Sequence, residues 1–466
     1  MTQDLIVHNA ALSDGRTVDV RVVRGRVEAI GQGLEGGGCP VLDARGGLLL
    51  PGLHDHHIHV AALAAAMTSV RCGPPDVRDA RGLATALNRP GAGWLRGTAY
   101  HESVAGLIDR GWIDRVCAHR PVRIQHRSGR LWIFNSLGLE QLLAAGPPPP
   151  GLEKAAGAWT GRLYDEDDWL RRTLKGAFPD LTAAGARLAS YGVTGVTEIS
   201  PGNDPVAAAH FARQCHGGAF AQRVVLAGRL DLSHRPLDPV LAMGPVKLHL
   251  HEADLPGFDA TADLIRAAHA AGRVVAVHCV TSVELAFTLA AFRAAGTVPG
   301  DRIEHASITS DAMMGEMAAL GLAVVGQPNF VAERGDAYLA SVAAEDVPAL
   351  YRLASFIGAG IVLAGGSDAP FGAPDPWAAM AAAVSRRTAS GTLIGAAEAL
   401  DPEQALALFL ADPLDLGRQR RIEPGAPADF CLLAKPWAVA RHALSADLVR
   451  ATIIAGRIVH QVPADS

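Results

Sequence analysis

The run Pro51-Gly52-Leu53-His54-Asp55-His56-His57-Ile58-His59 crowds histidines directly after the apolar Leu48-Leu49-Leu50. Neutral imidazoles at the end of a buried strand most often serve a metal. Residues two apart in a strand face the same side, so His57 and His59 can point into one pocket. His54 and His56 share the other face, and a pairing of those two stays open as a rival. Their alternative role is support or packing below the site. Asp55 has the parity of His57 and could orient an imidazole or close a turn. A lone His-x-His is weak evidence, and its weight comes from later segments.

Four such segments carry matching groups. Pro245-Val246-Lys247-Leu248 is apolar around a lysine. Val274-Val275-Ala276-Val277-His278 and Asp301-Arg302-Ile303-Glu304-His305 each end in histidine, and Ile361-Val362-Leu363-Ala364-Gly365-Gly366-Ser367-Asp368 ends in aspartate. Parity turns Glu304 away from His305 and gives it a structural role. His249 and His251 share the parity of Lys247, and His251, nearer the strand end, is the better substrate contact. Glu198 ends another apolar strand and is a further candidate.

Lys247 carries a separate argument. The chain relies on arginine, and its only lysines are Lys154, Lys175, Lys247 and Lys435. The other three lie among glycine, proline or charged residues and read as surface. An unpaired ammonium in an apolar strand is costly. A primary amine can take up carbon dioxide as a carbamate and bridge two metals. The competing reading is a lysine paired with an acid inside the fold.

The elements that must position these groups repeat. Lys247 to His278 and His278 to His305 are each about 30 residues, one strand-helix unit. His305 to Asp368 is about twice that, with the strand-like Ala323-Val324-Val325-Gly326 between. Alanine-rich helical stretches such as Ala260 to Ala271 and Ser282 to Ala295 fill the gaps. The rhythm predicts an α/β fold, a (β/α)8 TIM-like barrel with its site at the strand C-terminal ends. Residues 1–50 and 416–466 read as short strands and turns that pair into one small β-sandwich. Residues 51–415 form the barrel, interrupted at about 75–190 by an insertion expected over the barrel mouth.

Together, Pro51-Gly52-Leu53…Asp55…His57…His59, Val246-Lys247, Val277-His278, Arg302-Ile303-Glu304-His305 and Gly366-Ser367-Asp368-Ala369-Pro370 resemble the amidohydrolase superfamily over almost the whole chain. Pro374-Asp375-Pro376-Trp377, Ser385-Arg386-Arg387-Thr388 and Pro402-Glu403-Gln404-Ala405-Leu406 point to its YtcJ-like branch, which includes N-substituted formamide deformylases. The resemblance implies two divalent metal ions, zinc by ligand type, bridged by carboxylated Lys247. His57 and His59 with Asp368 would hold one ion, and His278 with His305 the other. It implies hydrolysis of a non-peptide amide or formamide bond by a metal-bridging hydroxide, with Asp368 moving the proton. In the insertion, His101 with Glu102 and Ser103, and His126 with Arg127, resemble branch segments near the substrate. Rival readings are an ester or lactone hydrolase, a deaminase or a decarboxylase on the same site, or a non-catalytic protein that kept the fold. Lys247 speaks against a mononuclear deaminase, and the full ligand set against a binding protein.

Composition narrows the partners. Of 466 residues, 49% are hydrophobic and 19% charged, enough for a large core. A net charge of −5 without a basic stripe argues against nucleic acid. No apolar run is long enough to span a bilayer, and the first residues lack a secretory pattern. Six scattered cysteines without Cys-x-x-Cys spacing suit a reducing cytoplasm. The expected partner is a small amide-type molecule, with a homodimer left open.

Overall fold

A computed structural model of the protein describes residues 3–35, 37–91, 93–174, 178–234 and 236–463. It divides into two compact units, residues 1–60 with 180–466 and residues 61–179.

The first unit is built on an eight-stranded parallel sheet. Its strands are β1 (Leu53–Ile58), β2 (Val193–Glu198), β3 (Arg223–Gly228), β4 (Leu241–His249), β5 (Val275–Cys279), β6 (Arg302–His305), β7 (Ala323–Gly326) and β8 (Leu363–Gly365). Each pairs with the next in parallel register. Helices cover the strands, including Phe258–Ala270 and Ser282–Ala295, close to the stretches expected from alanine content. The latter starts on a capping box from Thr281 and Glu284. The ring closes past β8, where Asp368 N donates to His57 O at 2.8 Å and His59 N to Ala369 O at 2.9 Å. Gly366 makes that approach feasible, since a Cβ there would lie 2.4 Å from His57 Cβ. This is the expected α/β barrel.

Both chain ends build a small β layer. One sheet orders Arg26–Gly31, Thr17–Val23, Leu5–Ala11 and Val41–Asp43; the other orders Arg457–Gln461, Val449–Ile454, Phe430–Leu433 and Leu49–Pro51. Their shared core mixes Leu5, Val7, Val20 and Val22 with Phe430, Leu432 and Ile453. Neither end could bury this face alone, which is why they fold together. Ala455 and Gly456, both at positive φ, turn the last hairpin.

The second unit has a six-stranded sheet in the order Leu152–Ala155, Ala158–Tyr164, Leu131–Phe134, Val122–His126, Leu95–Tyr100 and Val70–Arg71. Helices pack it into two apolar clusters, one around Leu83, Ile113 and Ile124 and one around Phe134, Leu142 and Leu163. The division falls at 61 and 179 rather than at about 75 and 190. At its C-terminal end the reason is the helix Thr182–Ser190, which belongs with the terminal sheet: Thr452 Oγ1 donates to Ala189 O at 2.6 Å. Among the described residues, no helix is long and apolar enough to cross a membrane.

Candidate metal centre

Four barrel strands, β1, β4, β5 and β6, deliver a continuous histidine cluster to one end of the barrel. Ring centroids lie 5.6 Å apart for His57 and His59, 4.7 Å for His57 and His305, and 4.5 Å for His278 and His305. His249 continues the chain, 4.3 Å from His278 and 4.5 Å from His251. Asp368 Oδ1 stands 3.2 Å from His59 Nε2 and 3.4 Å from His57 Nε2. Ligand atoms of His57, His305 and Asp368 all lie within 4.8 Å of one another. Lys247 enters from β4, 7% exposed, and its Nζ has no hydrogen-bond partner. The expected residues His57, His59, Lys247, His278, His305 and Asp368 therefore meet in one place.

Strand parity brings some of these groups inward, and backbone irregularity brings the rest. His305 has φ +71° and Asp368 φ +54°. These left-handed turns swing both side chains into the cluster at the strand ends. They also defeat the parity argument for Glu304. Its carboxylate points into the barrel, where Oε2 accepts from His57 Nδ1 at 2.6 Å and Oε1 from Arg302 Nε at 2.7 Å. With Glu304 engaging its Nδ1, His57 turns Nε2 towards Asp368. His305 Nδ1 meets Gln327 Oε1 at 2.6 Å, and His59 Nδ1 meets Ser200 Oγ at 2.8 Å. Glu304, Gln327 and Ser200 are the supports that sequence reasoning missed. Gln327 directly follows the strand Ala323–Gly326, so the strand-end rule that found the ligands reaches it too.

Electrostatics prepare the cluster for cations. Burial, reinforced by His305 and His249, holds His278 well below the usual histidine range. Burial and His57 push His305 down to about 3. Burial lowers Lys247 to about 8 although Glu304 opposes it, so a sizeable fraction of the amine is neutral near pH 8. Burial would raise Asp368, but hydrogen bonds from His57 and His59 keep it well below the carboxylate range. Burial works against a charged His57, yet Glu304 and Asp368 carry its pKa above the usual value. Neutral imidazoles at His278 and His305, an ionised carboxylate and an unpartnered buried amine make a donor set that fits divalent cations.

Other candidates take different places. Asp55 ties β1 to the segment after β8, accepting from His57 N at 3.1 Å, Ser367 N at 3.0 Å and Ser367 Oγ. Glu198, fully buried, accepts from Ser200 N at 3.0 Å, Asn203 Nδ2 at 3.2 Å and Val60 N. Its oxygens are engaged by the protein, and it anchors the turn carrying Ser200. His54 and His56 lie fully buried, His54 against Thr197 Oγ1 at 3.0 Å and His56 with both ring nitrogens unpartnered, apart from the ligand cluster. Lys154 and Lys435 are exposed as expected, and Lys175 lies outside the described residues.

His101, His126 and Arg127 belong to the second unit. There the two imidazoles stack at 6.0 Å, and Glu102 Oε2 stands 3.1 Å from His126 Nε2 and 3.6 Å from His101 Nε2. Their Nδ1 atoms accept from Ser103 N at 3.2 Å and Ser128 N at 3.1 Å. Arg127 is exposed beside them.

Comparison with known proteins places the chain in a family. The model of the amidohydrolase family matches residues 40–460. An N-substituted formamide deformylase of Arthrobacter pascens is 27% identical, over 93% of this chain and 94% of that protein. The putative amidohydrolase YtcJ of Bacillus subtilis (strain 168) is 24% identical, over 90% of each. The crystal structure of an uncharacterized metal-dependent hydrolase from Pyrococcus horikoshii OT3 superposes with a TM-score of 0.76 at 18% identity, covering 95% of this chain and 100% of that one.

Proposed function

The chain is an enzyme of the amidohydrolase family, in its YtcJ-like branch, and on that premise we propose that it hydrolyses a non-peptide carbon–nitrogen bond, an amide or N-substituted formamide. The carrying observation is the buried donor set in which an unpartnered amine, Lys247 Nζ, shares one cluster with four histidines and an ionised aspartate. Nitrogen and carboxylate ligands of this kind suit zinc. His57, His59 and Asp368 would hold one ion, and His278 and His305 a second. The neutral fraction of Lys247 could add through Nζ to the carbon of carbon dioxide and lose a proton, and the resulting carbamate would supply oxygen ligands to the ions. Bound there, two cations would lower the pKa of a shared water towards neutrality and polarise the carbonyl oxygen of the scissile bond.

The chain's own residues do the remaining work. Glu304, Gln327 and Ser200 orient the imidazoles through Nδ1, so that each Nε2 is aimed before any cation arrives. Asp368 Oδ1 takes the proton released when water attacks and passes it to the leaving nitrogen. His251, beside His249, contacts the substrate. His101, His126 and Arg127 influence which substrate is accepted. The free cysteines suit a reducing, cytoplasmic setting.

The test pairs elemental analysis with a panel of N-substituted formamides, acylated amines, lactones and amino-heterocycles. Two divalent ions per chain and turnover of a formamide or acylated amine are expected. Active protein without metal, or turnover of the lactones alone, overturns the reading. Arg127→Ala and His126→Ala should shift preference within the panel while metal content stays at the wild-type level.

A further inference from the structure

The segment after β8 carries Asp368 and closes a turn on itself, Phe371 N donating to Asp368 O at 2.8 Å and Ala369 N to Ser367 Oγ at 3.1 Å. It leaves the barrel through a left-handed residue and runs to Ala373 without regular structure. On the β1 side it is tied to Asp55, His57 and His59, and on the other side it is held by one face of the helix Asn329–Ser341, which follows β7. Asn329 and Glu333 lie one turn apart, so their side chains stand together. Asn329 Nδ2 donates to Ser367 O at 3.1 Å and to Glu333 Oε1 at 3.2 Å. Glu333 Oε1 also accepts from Ala373 N at 3.0 Å, and Arg334 Nη2 donates to Phe371 O. The segment is thus gripped at its beginning, middle and end.

Two further observations set this grip apart from ordinary loop packing. Asn329 is 1% exposed, and its Oδ1 is buried without a partner. An unsatisfied buried acceptor costs roughly 1–3 kcal/mol, so this position retains an amide despite a penalty that an apolar residue would avoid. The approach is also as close as backbone allows. A Cβ on Gly372 would lie 2.3 Å from Asn329 Nδ2 and 2.4 Å from Ser367 O. Held this way, the segment sets two groups at the metal cluster: Asp368 against His57 and His59, and Phe371, whose ring meets His59 edge-on at 5.5 Å.

We propose that Asn329 and Glu333 are positioning residues, a latch that fixes the 367–373 segment and so places Asp368 for ligation and proton transfer. The inference rests on the hydrolase reading for its catalytic consequence, but the latch itself can be measured without substrate. Asn329→Ala and Glu333→Ala should raise amide hydrogen exchange within 367–373, with the barrel strands unchanged. Both should release zinc to a chelator about tenfold faster than the wild type, within the range typical when a ligand's support is removed. On an amide substrate, kcat should fall about 10- to 100-fold with KM within about twofold. Glu333→Gln keeps an amide oxygen for Ala373 N–H and should restore most of the wild-type behaviour.

Unchanged exchange in 367–373 overturns the latch, as does faster exchange with unaltered zinc release. Should Asn329→Ala fail to fold, Glu333→Ala decides, because Glu333 is exposed and its loss leaves the core intact. A wild type that turns over none of the amides counts against the hydrolase reading alone, since exchange and zinc release still judge the latch.

Discussion

The two halves of the metal cluster are built differently. On the side where β1 meets the end of β8, every ligand is braced. His57 leans on Glu304, His59 on Ser200, and Asp368 rides a segment tied to Asp55, His57 and Asn329. On the side of β4 and β5, only the neighbouring His305 has a brace, Gln327, and the other functional groups come without one among the described residues. Lys247 Nζ has no partner, and His278 meets His249 and His305 through ring packing. The braced half is shaped by the protein before a cation arrives. The other half holds a buried amine whose cost is relieved only when something else completes it. A site can thus be half preformed and half conditional.

The largest expected effect breaks the conditional half. Lys247→Ala should lose at least one ion per chain and cost several orders of magnitude in kcat/KM, the scale of losing water activation. Lys247→Arg should fare no better, since a guanidinium stays charged and cannot form a carbamate. Lys247→Glu should retain part of the activity. Full activity and two ions in Lys247→Arg would return Lys247 to a structural role and erase the contrast.

Metal removal sharpens the comparison next. Under limiting chelator the ion on the β4–β5 side should leave first, giving a one-ion intermediate in a time course of metal content. Simultaneous loss of both ions would mean that the bracing does not distinguish them. Glu304→Gln then probes the braced half alone. It removes the charge behind His57 and should cost about 10- to 100-fold in activity or metal affinity. Ser200→Ala, which deletes a neutral partner, should cost less.

The smallest effect concerns rate. Carbamate formation needs the neutral amine, and Lys247 sits at about 8. The neutral fraction rises from about a tenth at pH 7 to about nine tenths at pH 9. Reconstitution of stripped protein with zinc and bicarbonate should therefore start faster at pH 9 than at pH 7 once the bicarbonate–carbon dioxide equilibrium is corrected for. A rate independent of pH after that correction would argue against the carbamate.

The sequence reveals the members of the cluster far better than their braces. His57, His59, His278 and Asp368 stand at or just past apolar strand ends, and the spacing of strand-helix units reaches them without a structure. Glu304 escaped because parity assumes a regular strand, and His305 at φ +71° breaks that regularity at its last residue. Glu198 is a related case. Its place at a strand end matched the ligand pattern, but its acceptors are filled by backbone N–H groups from Val60 and Ser200, a pairing invisible in one dimension. The hold of Asn329 on Ser367 spans 38 residues and leaves no local signature. Composition and periodicity report which face a residue turns inward, whereas long-range hydrogen bonds decide what it does there.

The seam between β1 and the end of β8 has a consequence for how the protein comes into being. Asp55 and Ser367 are 312 positions apart. A nascent chain emerges with His57 and His59 long before Asp368 has been translated, and contacts of such separation form only after a large loop is closed. The early histidine pair by itself is a poor cage, lacking both its carboxylate and the Glu304 that orients His57. A divalent ion would accordingly be held tightly only by a barrel that has been completed.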